Sequence, residues 1–295
     1  MPELPDVTIY CEALAARTAG DPLLSSRLIS PFVLRSVEPP LGALDGLRLL
    51  DVSRLGKRVV LGFEHERFLV IHLMIAGRLQ WAPVDGKPFK RPALATFSFP
   101  RGTLHLTEAG TTRRASIMVV AGRDALAQLD RGGLEPLAAS TADFATRLRS
   151  ERHTVKRALA DPRLFSGIGN AYSDEILHRA RLSPMARTDT MDDAAVARLH
   201  EATQSILTEW IDRLRRELGG GWPVTVTAFR PEMAVHGQFG KPCPVCAAPV
   251  QRIRYAENET NYCARCQTDG RLLADRGLSR LLKGDWPRSL DELDG

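Results

Sequence analysis

Hydrophobic residues recur at helical spacing near the start and in the middle of the chain, and short apolar runs lie between them. Residues 6–18 place Val7, Ile9 and Leu14 within one helical pattern, which predicts a helix. Short runs rich in β-branched and aromatic residues follow, each bounded by glycine, proline or charged residues: Arg58–Phe63, Phe68–Leu73, Leu94–Phe99, Thr103–Leu106 and Ser116–Val120. Several short strands at this spacing are typical of a sandwich or barrel. Residues 1–130 are therefore predicted to form one β-rich domain led by a helix.

The second half of the chain is predicted to be mainly helical. The clearest pattern covers residues 191–218, where an apolar stripe ends at three consecutive glycines: Val196, Leu199, Thr203, Ile206, Trp210, Leu214 and Leu218. This stripe is interpreted as core packing. Residues 131–236 are predicted to form the helical domain, with Gly219–Val226 as an exposed loop. Residues 237–270 carry paired cysteines, and residues 271–295 form an extension with a short helix at Leu278–Leu282 and an acidic end.

Charge and length narrow the possible classes of protein. The chain has 295 residues and a formal net charge of +5, a mild basic bias. The basic residues cluster before a glycine-rich turn and between the cysteine pairs: Arg147, Arg149, Arg152, Lys156, Arg157, Arg252 and Arg254. Such clusters fit a phosphate-facing surface, although a solvated helix face has the same pattern. No apolar run reaches the roughly 18 residues of a membrane span, and the start of the chain lacks signal-peptide character, which predicts a cytoplasmic protein.

Four of the five cysteines form two C-x-x-C pairs with sixteen residues between them. Cys243, Cys246, Cys263 and Cys266 have the number and spacing of ligands for a tetrahedral Zn²⁺ site. A redox function would explain one pair and leave the other unexplained. Four thiolates leave no coordination position for water, so the zinc is predicted to be structural and to stiffen a hairpin formed by Pro249–Tyr255 and Thr260–Tyr262. Cys11 is interpreted as a core residue.

A glycine-containing turn at residues 165–172 follows a basic helix and precedes another helix. Gly167 and Gly169 permit tight turns and close approach of a ligand. The free N–H groups and positive dipole end of the next helix suit a phosphate, and Asn170 is placed to add a side-chain donor. An ordinary corner between two helices is the alternative.

Several separated segments resemble one family. The start, Pro2–Val7 (PELPDV), the segment Leu164–Pro184 (LFSGIGNAYSDEILHRARLSP), the turn Leu55–Arg58 and the cysteine spacing are similar to the formamidopyrimidine-DNA glycosylase / endonuclease VIII family. The resemblance covers about residues 1–267. It implies a multi-domain α+β fold: an N-terminal helix plus β-sandwich, and a C-terminal helical domain with a helix–two-turn–helix motif and a zinc β-hairpin.

The resemblance also implies a mechanism on damaged double-stranded DNA. Removal of Met1 would free the amine of Pro2, and a terminal amine has an unperturbed pKa of about 7.7–8.0 against about 10.4 for lysine. By family analogy Pro2 attacks the sugar C1′, forms an iminium and permits β-elimination, with Glu3 as the general acid and base. Lys57 would grip a phosphate and assist proton transfer. Asn170 and the backbone of Gly169, supported by Lys156, would hold flanking phosphates, and the damaged base would leave the stack.

The sequence departs from the family pattern at three places. Asn258 occupies the hairpin position where the family carries an arginine, which questions the hairpin's grip on DNA and δ-elimination. The void-filling methionine position is Ile75, next to Met74, and the loop expected to hold an arginine and a phenylalanine contains only Arg113 or Arg114 as a substitute. Gly219–Met233 differs from the usual capping loop. Its Trp222 and Phe229 either stack on a base or act as hydrophobic plugs.

Two alternative functions remain at this stage. A non-catalytic protein that binds damaged DNA would retain the helix–turn motif and zinc hairpin, but it would not need Pro2, Glu3 and Lys57 together. An unrelated zinc-ribbon module for nucleic acid, RNA included, leaves the N-terminus and Lys57 unexplained. The preferred prediction is a monomeric, nucleoid-associated glycosylase and lyase of base excision repair that cuts mainly by β-elimination.

Overall fold

The computed structural model describes residues 1–86, 92–109, 114–224, 226–227, 229–255, 258–274 and 288–292. The chain divides into two compact units. The first combines Met1–Arg131 with Trp210–Thr227, and the second combines Gly132–Glu209 with Ala228–Gly295. The finer division predicted from the sequence, with separate segments at 131–236, 237–270 and 271–295, stays a prediction. No helix in the described ranges is long and apolar enough to cross a membrane.

The first unit is a helix packed with two antiparallel sheets. Helix α1 spans Leu4–Thr18, and the elements that follow are β1 (Ser25–Leu28), β2 (Leu49–Leu55), β3 (Arg58–Phe63), β4 (Arg67–His72), β5 (Gly77–Pro83), β6 (Ala95–Phe99), β7 (Gly102–Glu108), β8 (Ser116–Ala121) and α2 (Arg123–Ala127). One sheet has the order β2-β3-β4-β8 and the other β1-β6-β7-β5. Tyr10, Leu61, Ile71, Phe97 and Leu104 share one buried core. The predicted helix plus β-sandwich is therefore confirmed.

Three strands of this unit lie outside the runs predicted from the sequence. Strand β2 (LLDVSRL) is mostly exposed or half-buried, and its apolar residues do not alternate regularly with polar ones. Strand β5 (GRLQWAP) alternates buried and half-buried residues between a glycine and a proline, and the four-residue β1 is too short to show a period. Pairing with neighbouring strands, rather than local hydrophobicity, places these segments in the sheets.

The second unit contains the predicted helical region. Its helices are α3 (Thr141–Arg149), α4 (Val155–Ala160), α5 (Asn170–Arg179) and the first part of α6 (Asp193–Leu218). The Ser140 and Thr154 side chains accept hydrogen bonds from the backbone N–H groups of Asp143 and Arg157, which caps α3 and α4. Helix α6 continues into the first unit from Trp210 onwards.

A two-stranded hairpin completes the second unit. Strand β9 (Val250–Tyr255) pairs with β10 (Asn258–Cys263), and the short helix α7 (Ala264–Thr268) follows. A segment of the C-terminal extension returns to this hairpin: the Leu272 N–H donates to the Arg288 carbonyl, and the Leu290 N–H donates to that of Gly270. Leu290 is buried in the hairpin's core. The predicted helix at Leu278–Leu282 lies outside the described residues.

The segment after α6 is exposed at residues 219–221 and at Val224, as predicted for a loop, whereas Trp222 and Val226 are packed. Trp222 donates from Nε1 to the Leu79 carbonyl at 3.0 Å, and its ring lies 5.8 Å from Tyr10 and 6.2 Å from Trp81 between centroids. Val226 is buried in the same core. Trp222 is therefore a hydrophobic plug. Phe229, in the second unit, is 68% exposed and stacks on His236.

Candidate active site and nucleic-acid interface

The amino terminus of the chain lies in a partly enclosed, charged pocket of the first unit. Met1 is half-buried, Pro2 is buried, and Glu3 is only 2% exposed. Glu3 precedes α1, and its backbone N–H donates to the Asp6 carboxylate at 3.0 Å, which fixes the start of the helix. Burial lowers the pKa of the terminal amine from its usual 8.0; Glu3 and Asp6 oppose this shift, whereas Arg78 and Lys57 add to it. The surroundings thus favour the uncharged form of the Met1 amine.

Lys57 is presented by the tight turn between β2 and β3. Gly56 adopts a φ of +61° there, a conformation that costs a glycine little. Burial lowers the pKa of Lys57, and the Glu3 carboxylate opposes that shift, so the two side chains are electrostatic neighbours. His72 also belongs to this charged group. Burial, with Arg58, Lys57 and Arg131, lowers its pKa to about 4, which makes it a neutral imidazole at physiological pH.

A tight turn between β4 and β5 presents an apolar side chain to solvent. The Gly77 N–H donates to the Leu73 carbonyl at 2.9 Å, and a Cβ at Gly77 would lie 2.3 Å from that carbonyl oxygen, so only glycine fits. Met74 adopts a φ of +52°, and Ile75 at the tip is 55% exposed. The turn therefore offers Ile75, the residue predicted to fill the void left by the base. Of the other predicted loop, Gly110–Arg113 lies outside the described residues, and Arg114 is exposed.

The four paired cysteines form a zinc site at the base of the hairpin. Their sulfur atoms all lie within 4.8 Å of one another; the Cys243–Cys266 pair is 3.9 Å apart and the Cys246–Cys263 pair 3.4 Å. Tetrahedral Zn²⁺ with bonds of about 2.3 Å requires sulfur–sulfur distances of about 3.8 Å. The donor set and its spacing fit structural zinc, as predicted.

A histidine contacts one of these ligands from α5. Nε2 of His178 lies 3.3 Å from Sγ of Cys243. Burial, with the nearby Arg179 and Arg181, lowers the pKa of His178 to about 4, so the ring is neutral and its Nε2–H can donate to the thiolate. Such a donor orients a metal ligand. No sequence pattern marks His178 as a partner of the cysteines, since only the fold brings it to them.

The glycine-containing turn precedes α5 as predicted. Gly167 adopts a φ of +79°, and Gly169 is the residue immediately before the helix. Nδ2 of Asn170 donates to the Glu259 backbone carbonyl of the hairpin at 3.0 Å. Asn170 thus connects the turn to the hairpin and lies at the helix end where N–H groups can receive a phosphate.

Lys156 lies behind this turn and is not positioned to contact a phosphate directly. It is 6% exposed, and its Nζ donates to the Asn170 carbonyl at 3.0 Å, to Ser173 Oγ at 3.0 Å and to Asp174 Oδ1 at 2.6 Å. The predicted DNA contact of Lys156 is therefore corrected to an internal support for α5. Its long side chain is used to neutralise a buried carboxylate.

Two adjacent carboxylates on α5 extend this buried network to the hairpin. Asp174 Oδ2 accepts from His236 Nδ1 at 2.8 Å and from the Asn261 N–H at 3.2 Å. Glu175 accepts from three consecutive backbone N–H groups, those of Ala234, Val235 and His236. Burial raises the pKa of Glu175, while those three hydrogen bonds oppose the shift. None of these residues was singled out from the sequence, because their roles depend on long-range contacts.

The hairpin itself carries a mixed charge. Asn258 is exposed and pairs with Tyr255 at the end of the ladder. Glu259 lies 3.8 Å from Arg252 and 3.9 Å from Arg254, so the carboxylate offsets part of the positive charge of β9. The structure thus brings Pro2, Glu3 and Lys57 together in one unit. In the other unit it brings Asn170 to the hairpin and gathers the four cysteines.

Three family profiles match the chain in order along its length. Residues 1–115 match the formamidopyrimidine-DNA glycosylase N-terminal domain, residues 133–217 the formamidopyrimidine-DNA glycosylase H2TH domain, and residues 240–268 a zinc finger found in FPG and IleRS. Together they define the class as the helix–two-turn–helix DNA glycosylases with a zinc finger.

Whole-length relatives specify the family. Formamidopyrimidine-DNA glycosylase of Heliobacterium modesticaldum is 32% identical over 90% of this chain and 100% of its own length, and that of Thermus thermophilus is 31% identical over 92% and 100%. An uncharacterized formamidopyrimidine-DNA glycosylase-like protein of Mycobacterium tuberculosis is 42% identical over 51% of this chain and 94% of its own. The chain belongs to the formamidopyrimidine-DNA glycosylase family.

Solved structures agree with this assignment. Lactococcus lactis Fpg in complex with DNA containing an abasic site aligns with a TM-score of 0.78 at 25% identity, covering 90% of this chain and 99% of that one. The same enzyme with DNA containing an oxidized pyrimidine aligns with a TM-score of 0.78 at 26% identity, covering 90% and 100%. The predicted membership of this family is confirmed, while the roles of the individual site residues stay predictions.

Proposed function

We propose that this protein is a bifunctional DNA glycosylase and abasic-site lyase that uses Pro2, freed by removal of Met1, as its nucleophile. The observation that carries the proposal is the buried position of Pro2, next to a Met1 amine whose pKa is lowered by burial and which has Glu3 and Lys57 as electrostatic neighbours. A nucleophile of this kind must be uncharged to attack, and desolvation favours that form.

The reaction begins when the Pro2 nitrogen attacks C1′ of the damaged nucleotide and the base leaves with the bonding electrons and a proton. The Pro2 nitrogen gives up its proton, the sugar ring opens as the C1′–O4′ bond breaks and O4′ takes up a proton, and the nitrogen lone pair forms the iminium with C1′. This iminium makes the C2′ hydrogen acidic. Removal of that proton forms the C2′–C3′ double bond, and the C3′–O bond breaks as the 3′ phosphate leaves. Water then hydrolyses the imine and frees Pro2. Glu3 is the proposed general acid and base, and Lys57 holds the phosphate.

The second unit is proposed to grip the DNA backbone. The N–H groups at the start of α5, with Gly169 and Asn170, bind phosphate, and Lys156 holds that helix end in place through the Asn170 carbonyl. The relatives' complexes contain abasic-site and damaged-base DNA, so the proposed substrate is damaged duplex DNA, bound by a monomer in the cytoplasm at the nucleoid.

β-Elimination is proposed as the main cut. Asn258 cannot supply the bidentate cationic contact that an arginine makes with phosphate. It is exposed, and the neighbouring Glu259 adds negative charge. A second elimination, which needs the remaining phosphate to be held, therefore has weaker support from the hairpin.

The test is borohydride trapping on a duplex with one abasic site, after mass spectrometry establishes that Met1 is absent. A covalent adduct mapped to Pro2 is the expected result. A chain with a short N-terminal extension is the control, because its Pro2 nitrogen is an amide and cannot form an imine. Tight binding without an adduct, with Pro2 free, would favour the alternative of a non-catalytic protein that binds damaged DNA.

A further inference from the structure

Arg78 contributes a second cation to the pocket of the terminal amine. It occupies the second position of β5, directly after the turn that presents Ile75. Its charge acts on the terminal amine and also on the phenol of Tyr10, lowering the pKa of each, although burial dominates both shifts. The guanidinium is therefore near the start of the chain, where Pro2 and Glu3 follow the Met1 amine, and it is only half-buried.

The guanidinium of Arg78 is fixed in place by one of its three nitrogens. Nη1 donates to the Ile75 carbonyl at 3.2 Å and to the Gly77 carbonyl at 2.7 Å. Within the described residues, Nε and Nη2 have no hydrogen-bond acceptor and no carboxylate pairs with Arg78. The side chain is thus preorganised by the turn and retains free donors for an anion.

The charges around the amine leave room for such an anion. Lys57 and Arg78 are two cations whose charges act on the N-terminal amine, and the carboxylates of Glu3 and Asp6 act on it in the opposite sense. Asp6 also accepts a hydrogen bond from the backbone N–H of Glu3. When Glu3 is protonated and ready to act as a general acid, Asp6 alone opposes the two cations and one balancing charge is missing. A phosphate of the reacting nucleotide would supply it, since planar guanidinium donors match phosphate oxygens.

We propose that Arg78, together with Lys57, binds the phosphate on the 3′ side of the reacting nucleotide and stabilises it as it leaves. This inference rests on the proposed lyase function. As the C3′–O bond breaks, its electrons pass to the phosphate, which gains negative charge next to the Arg78 N–H groups. A donor aimed at developing charge accelerates the step in which that charge appears. Arg78 therefore acts on elimination, and attack at C1′ is less dependent on it.

The experiment separates these steps with Arg78→Gln. Glutamine retains an N–H for the turn carbonyls but removes the charge. Single-turnover reactions on abasic-site DNA measure elimination by strand cleavage and imine formation by borohydride trapping. Loss of a charged hydrogen bond is expected to slow elimination about 10- to 100-fold, with trapping changed less than about 3-fold. Arg27→Gln is the matched control, since Arg27 is exposed on β1 at the opposite edge of the same sheet.

Binding provides an independent measurement. For duplex DNA with a non-cleavable abasic analogue, the slope of log K against log salt should fall by about 0.9 in Arg78→Gln, the value for one phosphate contact. Arg78→Lys should restore the slope while disturbing the turn. Unchanged elimination and an unchanged slope in Arg78→Gln would overturn the inference; if that variant does not fold, Arg78→Met also removes the charge, and the same two outcomes then decide. A wild-type protein that forms no adduct refutes the lyase proposal instead.

Discussion

Replacement of Lys156 by methionine tests the buried network that supports the glycine-containing turn. Lys156 is 6% exposed and Asp174 is 1% exposed, and their charged atoms are 2.6 Å apart. Methionine occupies a similar volume, so the substitution removes the charge and three hydrogen bonds while largely preserving packing. The Asp174 carboxylate would then remain buried without its cation.

The expected loss of stability is about 3 kcal/mol. Removing one partner of a buried ion pair costs about 3–5 kcal/mol, because the other charge stays desolvated. The lower end applies here because Asp174 keeps two donors, His236 Nδ1 and the Asn261 N–H. For a unit of this size, roughly 2–4 °C of melting temperature per kcal/mol corresponds to a decrease of roughly 6–12 °C.

Thermal unfolding of the zinc-loaded protein measures this loss, and hydrogen exchange over α5 shows where it occurs. Lys241→Met is the matched control, since Lys241 is an exposed lysine of the same unit. Adding Asp174→Asn should recover part of the loss, because the double variant leaves no unpaired charge. A loss below about 1 kcal/mol, or one no larger than that of Lys241→Met, would refute the assignment of Lys156 as an internal support.

Further predictions address the terminal amine, the two aromatic residues and the zinc. The rate of borohydride trapping should rise with pH and level off with a midpoint below 8.0, because the burial that lowers the pKa of the Met1 amine should act in the same way on the Pro2 amine once Met1 is removed; a midpoint above 8.0 would contradict this reasoning. Trp222→Ala should lower the free energy of unfolding by about 2–4 kcal/mol, whereas Phe229→Ala should change it by less than about 0.5 kcal/mol; equal effects in urea titrations would contradict their different burial. Zinc removal by a chelator should abolish hydrogen-exchange protection of β9 and β10 and weaken DNA binding, while exchange in β3 and β4 stays unchanged; retained protection of the hairpin would show that the metal is dispensable.

Local patterns in the sequence were sufficient to predict the elements whose residues lie close together in the chain. The apolar stripe of α6, the hairpin and its four cysteines were predictable because their residues are close in sequence and their spacing is set by helix, strand or metal geometry. The structure starts α1 at Leu4, two residues before the predicted start. Strand β2 has no regular alternation of apolar and polar residues, and its place depends on pairing with β3.

The residues of the candidate site divide in the same way, into those that the sequence predicts and those whose position depends on long-range contacts. Pro2, Glu3 and Lys57 were predicted by resemblance to a family, and the fold gathers them in one pocket. A lysine in a basic stretch, such as Lys156, usually lies at the surface. Its burial depends on Asp174, eighteen residues away, and no local pattern marks that pairing. Arg78 was missed since neither its residue type nor its neighbours indicate a position beside the terminal amine.

The first unit is assembled from two separate stretches of chain, and this affects how the protein can be made and divided. Trp222 and Val226 complete a core that otherwise comes from residues 1–131. During synthesis that core therefore cannot be completed until most of the second unit has left the ribosome. Until then Trp222 does not cover Tyr10 and Trp81, and these side chains can form non-native contacts. A fragment cut at residue 131 would carry the same defect permanently. A catalytic fragment for expression should instead join residue 131 to residue 210 through a linker, so that the fragment contains Trp222 together with the sheets that it covers.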